Sequence, residues 1–213
     1  MAITLSTGVQ IQVAKTYAAA VPFTTISNAS EAVVTVANTL ANGDYVEVSS
    51  GWGLIDKRIF RVKAVSGSSF TLEGANTTGT KFPAGTGAGS FRKVTAWTEI
   101  TQVKSISTSG GEQQFADVTA INDVVSRQVP TTRGAVNVTL EVYDDPTQAY
   151  FPDVIAADES RTPYGLYMIF ANGSKTLANA YWSISRVPNI ATNEAMTASI
   201  SLSFAAEPVR YAA

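Results

Sequence analysis

Two stretches of this chain alternate apolar and polar side chains with a strict period of two, a pattern that fits a strand and not a helix. Residues 136–143 set Val136, Val138, Leu140 and Val142 against Asn137, Thr139, Glu141 and Tyr143. Residues 196–204 set Ala198, Ile200, Leu202 and Phe204 against Thr197, Ser199, Ser201 and Ser203. Successive side chains of a strand point to opposite faces, so each stretch buries one face and wets the other, as antiparallel sheets do. The wet face of the second is built of small hydroxyls, where a surface facing bulk water normally carries charge. Composition agrees with strands: 22 Val and 13 Ile against 8 Leu, with 25 Thr and 20 Ser, suit half-buried pleated surfaces better than long helices. The expected fold class is all-β, mainly β with one short helix.

Charge divides the chain. Residues 1–95 carry eight basic and five acidic side chains, and residues 96–213 carry seven and twelve. That asymmetry suggests two units, a small β-barrel or sandwich over 18–95 and a second β unit over 96–213, preceded by an arm or strand over 1–17. In the first unit, short runs at 31–37, 45–48, 58–65 and 70–72 are separated by turn residues such as Asn42-Gly43-Asp44 and Ser66-Gly67-Ser68, the spacing of a small barrel. In the second, runs at 164–171 and 181–187 flank Asn172-Gly173, and the polar residues through Asn179 point to a longer loop than a tight hairpin needs. A helix is expected over about 146–159, with Asp144 or Asp145 as cap, Pro146 in the first turn, Tyr150, Phe151, Val154 and Ile155 as its apolar stripe, and Pro152 kinking or splitting it. Residues 105–130 read as a long hairpin loop. Its apolar Phe115, Val118, Ile121, Val124 and Val125 need covering, by a partner chain as readily as by the protein's own core.

The chain has 213 residues, no histidine and no cysteine. It therefore offers no Ser-His-Asp or Cys-His arrangement, zinc finger, haem histidine or iron–sulfur cluster. Absent cysteine also fits a reducing cytoplasm. Met1-Ala2-Ile3-Thr4-Leu5 has no basic segment leading an apolar core, and no stretch nears 18 apolar residues, so neither export nor a membrane span is expected. The remaining chemistry candidates have plain explanations. Asp144-Asp145 before Pro146 is a capping pattern. Gly85-Thr86-Gly87-Ala88-Gly89 lacks the Gly-Lys-Ser/Thr ending of a phosphate loop and reads as a flexible connection. Asp153, Asp158 and Glu159 lack the spacing of a calcium loop. Lys57, Arg58, Arg61 and Lys63 read as a solvated strand face in a chain of net charge −2. No cofactor, metal or enzymatic activity is expected.

The pattern resembles the major tail tube proteins of long-tailed, non-contractile bacteriophages. The likeness runs through Trp97-Thr98-Glu99-Ile100, Ser109-Gly110-Gly111-Glu112-Gln113-Gln114-Phe115, residues 136–143 with Asp144-Asp145 and a helix, Asn172-Gly173, and Asn193-Glu194-Ala195-Met196. Ile26-Ser27-Asn28-Ala29, Gly43-Asp44-Tyr45-Val46, Ser50-Gly51-Trp52 and Phe70-Thr71-Leu72-Glu73-Gly74 resemble a small β domain that recurs in phage structural proteins. The resemblance implies a two-sheet sandwich with a helix, six copies per ring, and rings stacked into a tail tube in the virion. The sheets of a ring would join into one barrel around a channel that houses the tape-measure protein and passes double-stranded DNA during ejection, with tail terminator and distal tail proteins at its ends. It also implies a subunit and ring interface on the loop, at Gly110, Gly111, Gln113, Gln114, Phe115, Val118, Ile121, Val124 and Arg127. The candidates to face the lumen are Asn137, Thr139 and Glu141 with Thr197, Ser199, Ser201 and Ser203. A conduit must not grip phosphates, because 6 to 10 basic contacts shift DNA affinity by roughly 10³ to 10⁵ over a modest salt range. The competing readings are another virion part (a tail terminator, a baseplate component or a capsid decoration protein) and a carbohydrate-binding module stacking sugars on Trp52, Trp97 and Trp182.

Overall fold

The computed structural model describes residues 8–213; residues 1–7, which begin the expected N-terminal arm, lie outside the described residues. The chain opens with β1 (Gln10–Tyr17), β2 (Val21–Phe23), β3 (Thr25–Ile26), β4 (Val33–Thr35), β5 (Tyr45–Ser50), β6 (Arg58–Ser66), β7 (Ser69–Leu72) and the long β8 (Gly89–Glu99). It continues through β9 (Val103–Gly110), β10 (Gln113–Asp117), β11 (Gln128–Arg133), β12 (Val136–Tyr143), α1 (Tyr150–Ser160), β13 (Tyr164–Ile169), β14 (Lys175–Ile184), β15 (Thr197–Phe204) and β16 (Val209–Tyr211). Among the described residues the protein is mostly β with a single short helix. Hydrogen bonds link the strands in the order β3-β4-β7-β6-β5-β8-β1-β13-β14-β15-β12-β9, with β2 on β8 and β16 on β14; β10 and β11 pair apart from the rest.

One strand serves two sheets. Residues 89–93 of β8 pair with β5, and Val94, Ala96, Trp97, Thr98 and Glu99 pair with β1. The strand β1 also pairs with β13, so residues 10–17 add a strand to the second sheet. At the other side of the first sheet, β2 and β3 are separated by Thr24 alone, and the chain itself turns the corner between them.

The second sheet folds about β14 into an unclosed sandwich. The β14 strand pairs with β13 over residues 175–180 and with β15 over residues 180–184. On the inner side, Ile11 and Val13 share one cluster with Leu166, Trp182, Ile200, Leu140 and the helix residues Tyr150, Val154 and Ala157. On the outer side, Tyr167, Leu177, Val209 and Tyr211 join the cluster of Trp52, Phe60, Phe70 and Phe91 from the first sheet. The Tyr45 hydroxyl is 3.0 Å from that of Tyr167, and the Arg61 amide donates to the Tyr211 hydroxyl at 2.9 Å. That hydroxyl donates in turn to the Glu73 carbonyl at 3.1 Å, and burial pushes its pKa up to about 12.

Three local expectations are corrected. The turn at Asn172-Gly173 is tight, with the Gly173 amide donating to the Phe170 carbonyl at 2.8 Å, and β14 starts at Lys175. The supposed polar loop is a strand buried on both faces, and Asn179 is only 1% exposed. The helix starts at Tyr150. Asp145 instead closes the turn before it, accepting from the Thr147 amide at 3.0 Å and from Gln148 Nε2 at 2.7 Å. Pro152 sits in the first helical turn, whose amides have no intrahelical acceptor, so it neither kinks nor splits the helix. Residues 103–110 and 128–133 are strands, so the expected loop is an extended β-hairpin.

Candidate assembly surfaces

The two alternating stretches of the sequence are hydrogen-bonded neighbours in matching register. Asn137 lies opposite Ser203, Thr139 opposite Ser201 and Glu141 opposite Ser199. On the other side of β12, Asn137, Thr139 and Glu141 face Ser109, Ser107 and Ser105 of β9. Tyr181 and Ser183 of β14 extend the face beyond Ser203 and Ser201. Because register sets which side chains share a face, the result is a four-strand wall of hydroxyls, amide and one carboxylate. Val138, Leu140, Val142, Ile200 and Leu202 hold it from behind.

The Glu141 charge is paired. Lys104 Nζ reaches Glu141 Oε1 at 3.0 Å, and the Ser105 hydroxyl donates to Oε2 at 3.2 Å. The Lys104 contact is the main reason the carboxyl sits below its ordinary pKa. A register shift between Glu141 and Val142 brings Lys104 onto this face. The wall is thus close to neutral. Thr197 departs from its group: Asn189 bridges it through backbone bonds of 2.7 and 3.2 Å, leaving it 5% exposed and unavailable to line anything. Ser105, Ser107, Ser109, Tyr181, Ser183 and Lys104 were missed from sequence. The signal for the first three was the alternation Ser105-Ile106-Ser107, hidden inside a segment read as loop.

The edge strand β9 continues into the arm. Gly110 and Gly111 have φ of +78° and +79°, a region that costs non-glycine residues strain. A Cβ on Gly110 would meet the Ala135 carbonyl oxygen at 2.0 Å. This glycine pair lets the β9/β12 hairpin change direction and go on as β10/β11. Gln113 clasps the arm by donating to the Thr131 carbonyl at 3.2 Å, while Gln114 accepts from the Thr131 hydroxyl at 3.1 Å. Beyond them the tip is ordered by its own polar groups: the Val118 amide donates to the Arg127 carbonyl at 2.9 Å, and the Arg127 amide to the Thr119 hydroxyl at 3.0 Å. Its apolar side chains, Phe115, Val118, Ile121 and Val124, are exposed. At the base, Arg133 pairs with Glu207 at 3.2 Å.

The other sequence candidates are absorbed by structure. Thr86 and Gly87 pack on Trp52, whose indole N–H donates to the Pro83 carbonyl at 2.9 Å. A Cβ on Gly87 would meet that ring at 2.8 Å, so the glycine loop is a fitted cover and not a flexible connection. Trp52 and Trp182 are buried, and Trp97 packs on Tyr45 and Tyr167, so none of them presents a sugar-stacking face. Arg61 pairs with Glu73 and Lys63 with Glu31. Asp153 accepts from Thr98, and Arg186 reaches Glu159 at 2.9 Å. No helix among the described residues is long and apolar enough to cross a membrane.

A family model described as phage tail tube protein, TTP, matches residues 50–213. No curated protein matches the chain. Among solved structures, the six-fold symmetrised cryo-EM structure of the anti-feeding prophage baseplate aligns at 7% identity and a TM-score of 0.39, over 82% of this chain and 96% of that one. The match to the family model spans most of the chain and includes both the hydroxyl wall and the arm; the chain belongs to the phage tail tube protein family and is a structural, non-enzymatic component of the virion tail.

Proposed function

We propose that six copies of this chain close into a ring and that rings stack into a tube whose bore is lined by the wall of β14, β15, β12 and β9. The observation that carries this reading is the register-matched hydroxyl wall ending on β9, which pairs only with β12 among the described residues. An unpaired edge is an aggregation hazard unless it is covered, and joining the edges of successive copies into a closed barrel removes it. A near-neutral wall of hydroxyls has little hold on phosphate, which suits a conduit for double-stranded DNA that earlier houses a tape-measure protein. Tail terminator and distal tail proteins would cap the two ends. In this arrangement the unit over 18–95 lies on the outside of the tube, because it covers the outer side of β13 and β14 while the wall occupies the other leaf of the sandwich.

Electron microscopy of the purified protein tests the proposal. Hollow filaments of uniform bore are expected, whereas isolated copies at high concentration, or solid aggregates, would remove its basis. Glu141→Lys then probes the wall: it sets a second ammonium beside Lys104, and DNA release from particles carrying it should slow, more so at low salt. Unchanged ejection kinetics at every salt concentration would place the bore elsewhere.

A further inference from the structure

The basic run of β6 does not end up uniformly paired. Arg61 has Glu73 and Lys63 has Glu31, whereas Arg58 makes no ion pair among the described residues. One terminal nitrogen of Arg58, Nη1, donates to the Leu54 carbonyl at 3.1 Å. Its Nε is buried and has no acceptor within the protein. A guanidinium drawn out of water is ordinarily met by a carboxylate or a phosphate, because two of its N–H groups match two oxygens carried on one centre.

Arg58 lines a cavity of about 570 Å³ between β6 of the first unit and β16 of the second, together with Glu31, Arg61, Glu73, Arg210 and Tyr211. That volume lies in the range of about 300–1,000 Å³ common to small-molecule sites. The carboxylates around it are engaged. Both oxygens of Glu73 accept from Arg61, through Nε and through Nη2 at 2.8 Å. Glu31 Oε1 accepts from Lys63 at 2.7 Å and from the Gly74 amide at 3.3 Å. Glu207, whose charge also acts on Arg58, is paired with Arg133 at 3.2 Å. Aromatic rings hold the cations in place: the Arg58 guanidinium lies 5.2 Å from the centre of the Phe60 ring and that of Arg61 4.6 Å from the Tyr211 ring. A stacked guanidinium is fixed in its plane before a ligand arrives, so less rotamer freedom is lost on binding.

We infer that this cavity binds the oxyanion group of a small molecule, a carboxylate or a phosphate, with Arg58 receiving two of its oxygens side-on through Nε and Nη2. Arg61 already shows that geometry toward Glu73. The site is distinct from the hydroxyl wall and from the arm. All of its residues come from one copy, so it is complete in the free subunit and does not depend on the tube.

Nuclear magnetic resonance of the isotope-labelled full-length protein tests this directly, because a buried Nε–H gives its own signal. Sodium acetate or sodium phosphate should move the Arg58 Nε–H signal saturably, with a Kd of about 10 mM or tighter, and sodium chloride at equal ionic strength should not. Saturation by acetate alone assigns a carboxylate ligand, by phosphate alone a phosphate ligand, and by both the shared oxyanion group; each supports the site. A shift that never saturates, or one that chloride reproduces, overturns it. Arg58→Lys keeps the charge and removes the fork, so affinity read at the Gly74 and Tyr211 amides should fall by about tenfold or more. Unchanged affinity in that variant would place the anion elsewhere and overturn the inference as well. The exposed neighbour supplies the control: Lys57→Gln should leave binding within about twofold.

Discussion

The β5/β6 hairpin and the β10/β11 hairpin are built from the same local device and have opposite fates. In the first, Val46, Val48, Ile59, Phe60 and Val62 are covered by Phe70, Phe91 and the outer side of the second sheet, and the charges are matched within the chain, as Glu47 is by Arg92. Burial raises the Glu47 pKa against that pairing. In the second hairpin, Phe115, Val118 and Val129 face solvent although the two strands pair with each other. Backbone pairing and side-chain cover are thus separate achievements. A hairpin alone is marginal in water, and the arm keeps its shape through the Asp117, Thr119 and Asp123 caps and the Gln113 clasp, leaving its apolar side chains exposed.

Matched substitutions test this contrast most sharply. Phe70→Ala should lower the stability of the free subunit by about 3–5 kcal/mol, read from the urea midpoint, and should melt both sheets together because Tyr167 and Leu177 share its cluster. Separate transitions, or a loss below about 1 kcal/mol, would mean that the first sheet is an independent attachment. Tyr211→Phe comes next. It strips the part-buried Arg61 amide of its acceptor and should cost about 1–3 kcal/mol without touching the arm. Phe115→Ala should leave the midpoint within about 0.5 kcal/mol while reducing tube formation; a large loss of subunit stability would show that the tip packs on its own body. Asp145 gives the smallest effect. Its folded pKa is held down to about 2, first by the Thr147 hydroxyl and then by Gln148, from an ordinary value of 3.8. Because the folded value is the lower one, the contribution is complete above the ordinary value and is lost as pH falls toward 2. Asp145→Asn should flatten that acid limb of the stability curve, and an unchanged limb would assign it to other carboxylates.

Much of the wall was legible from sequence because strand alternation needs no partner to be read: Asn137, Thr139, Glu141, Ser199, Ser201 and Ser203 follow from the period alone. The β9 serines were masked by the length of the apparent loop, and Lys104 by a bulge, which sequence does not mark. Thr197 kept the right parity and was still covered, because the loop that folds over it pairs through backbone atoms that carry no side-chain signature. The helix start failed for a related reason. Two acids before a proline fit a helix cap or an Asp-closed turn equally well, and the packing of Tyr150 on the sheet decides between them.

The sequence by itself determined that this chain is built of strands, which side chains share a face, and that no histidine or cysteine chemistry is available to it. Periodicity is a property of the local backbone, so it survives without context. Only the tertiary structure decided that β14 changes partners at Ala180, that the outer side of β13 and β14 is covered by the first sheet, and that the apolar tip of the arm stays exposed among the described residues. Those outcomes depend on which distant surfaces meet, and burial is settled by the contact between surfaces, not by the pattern on either one.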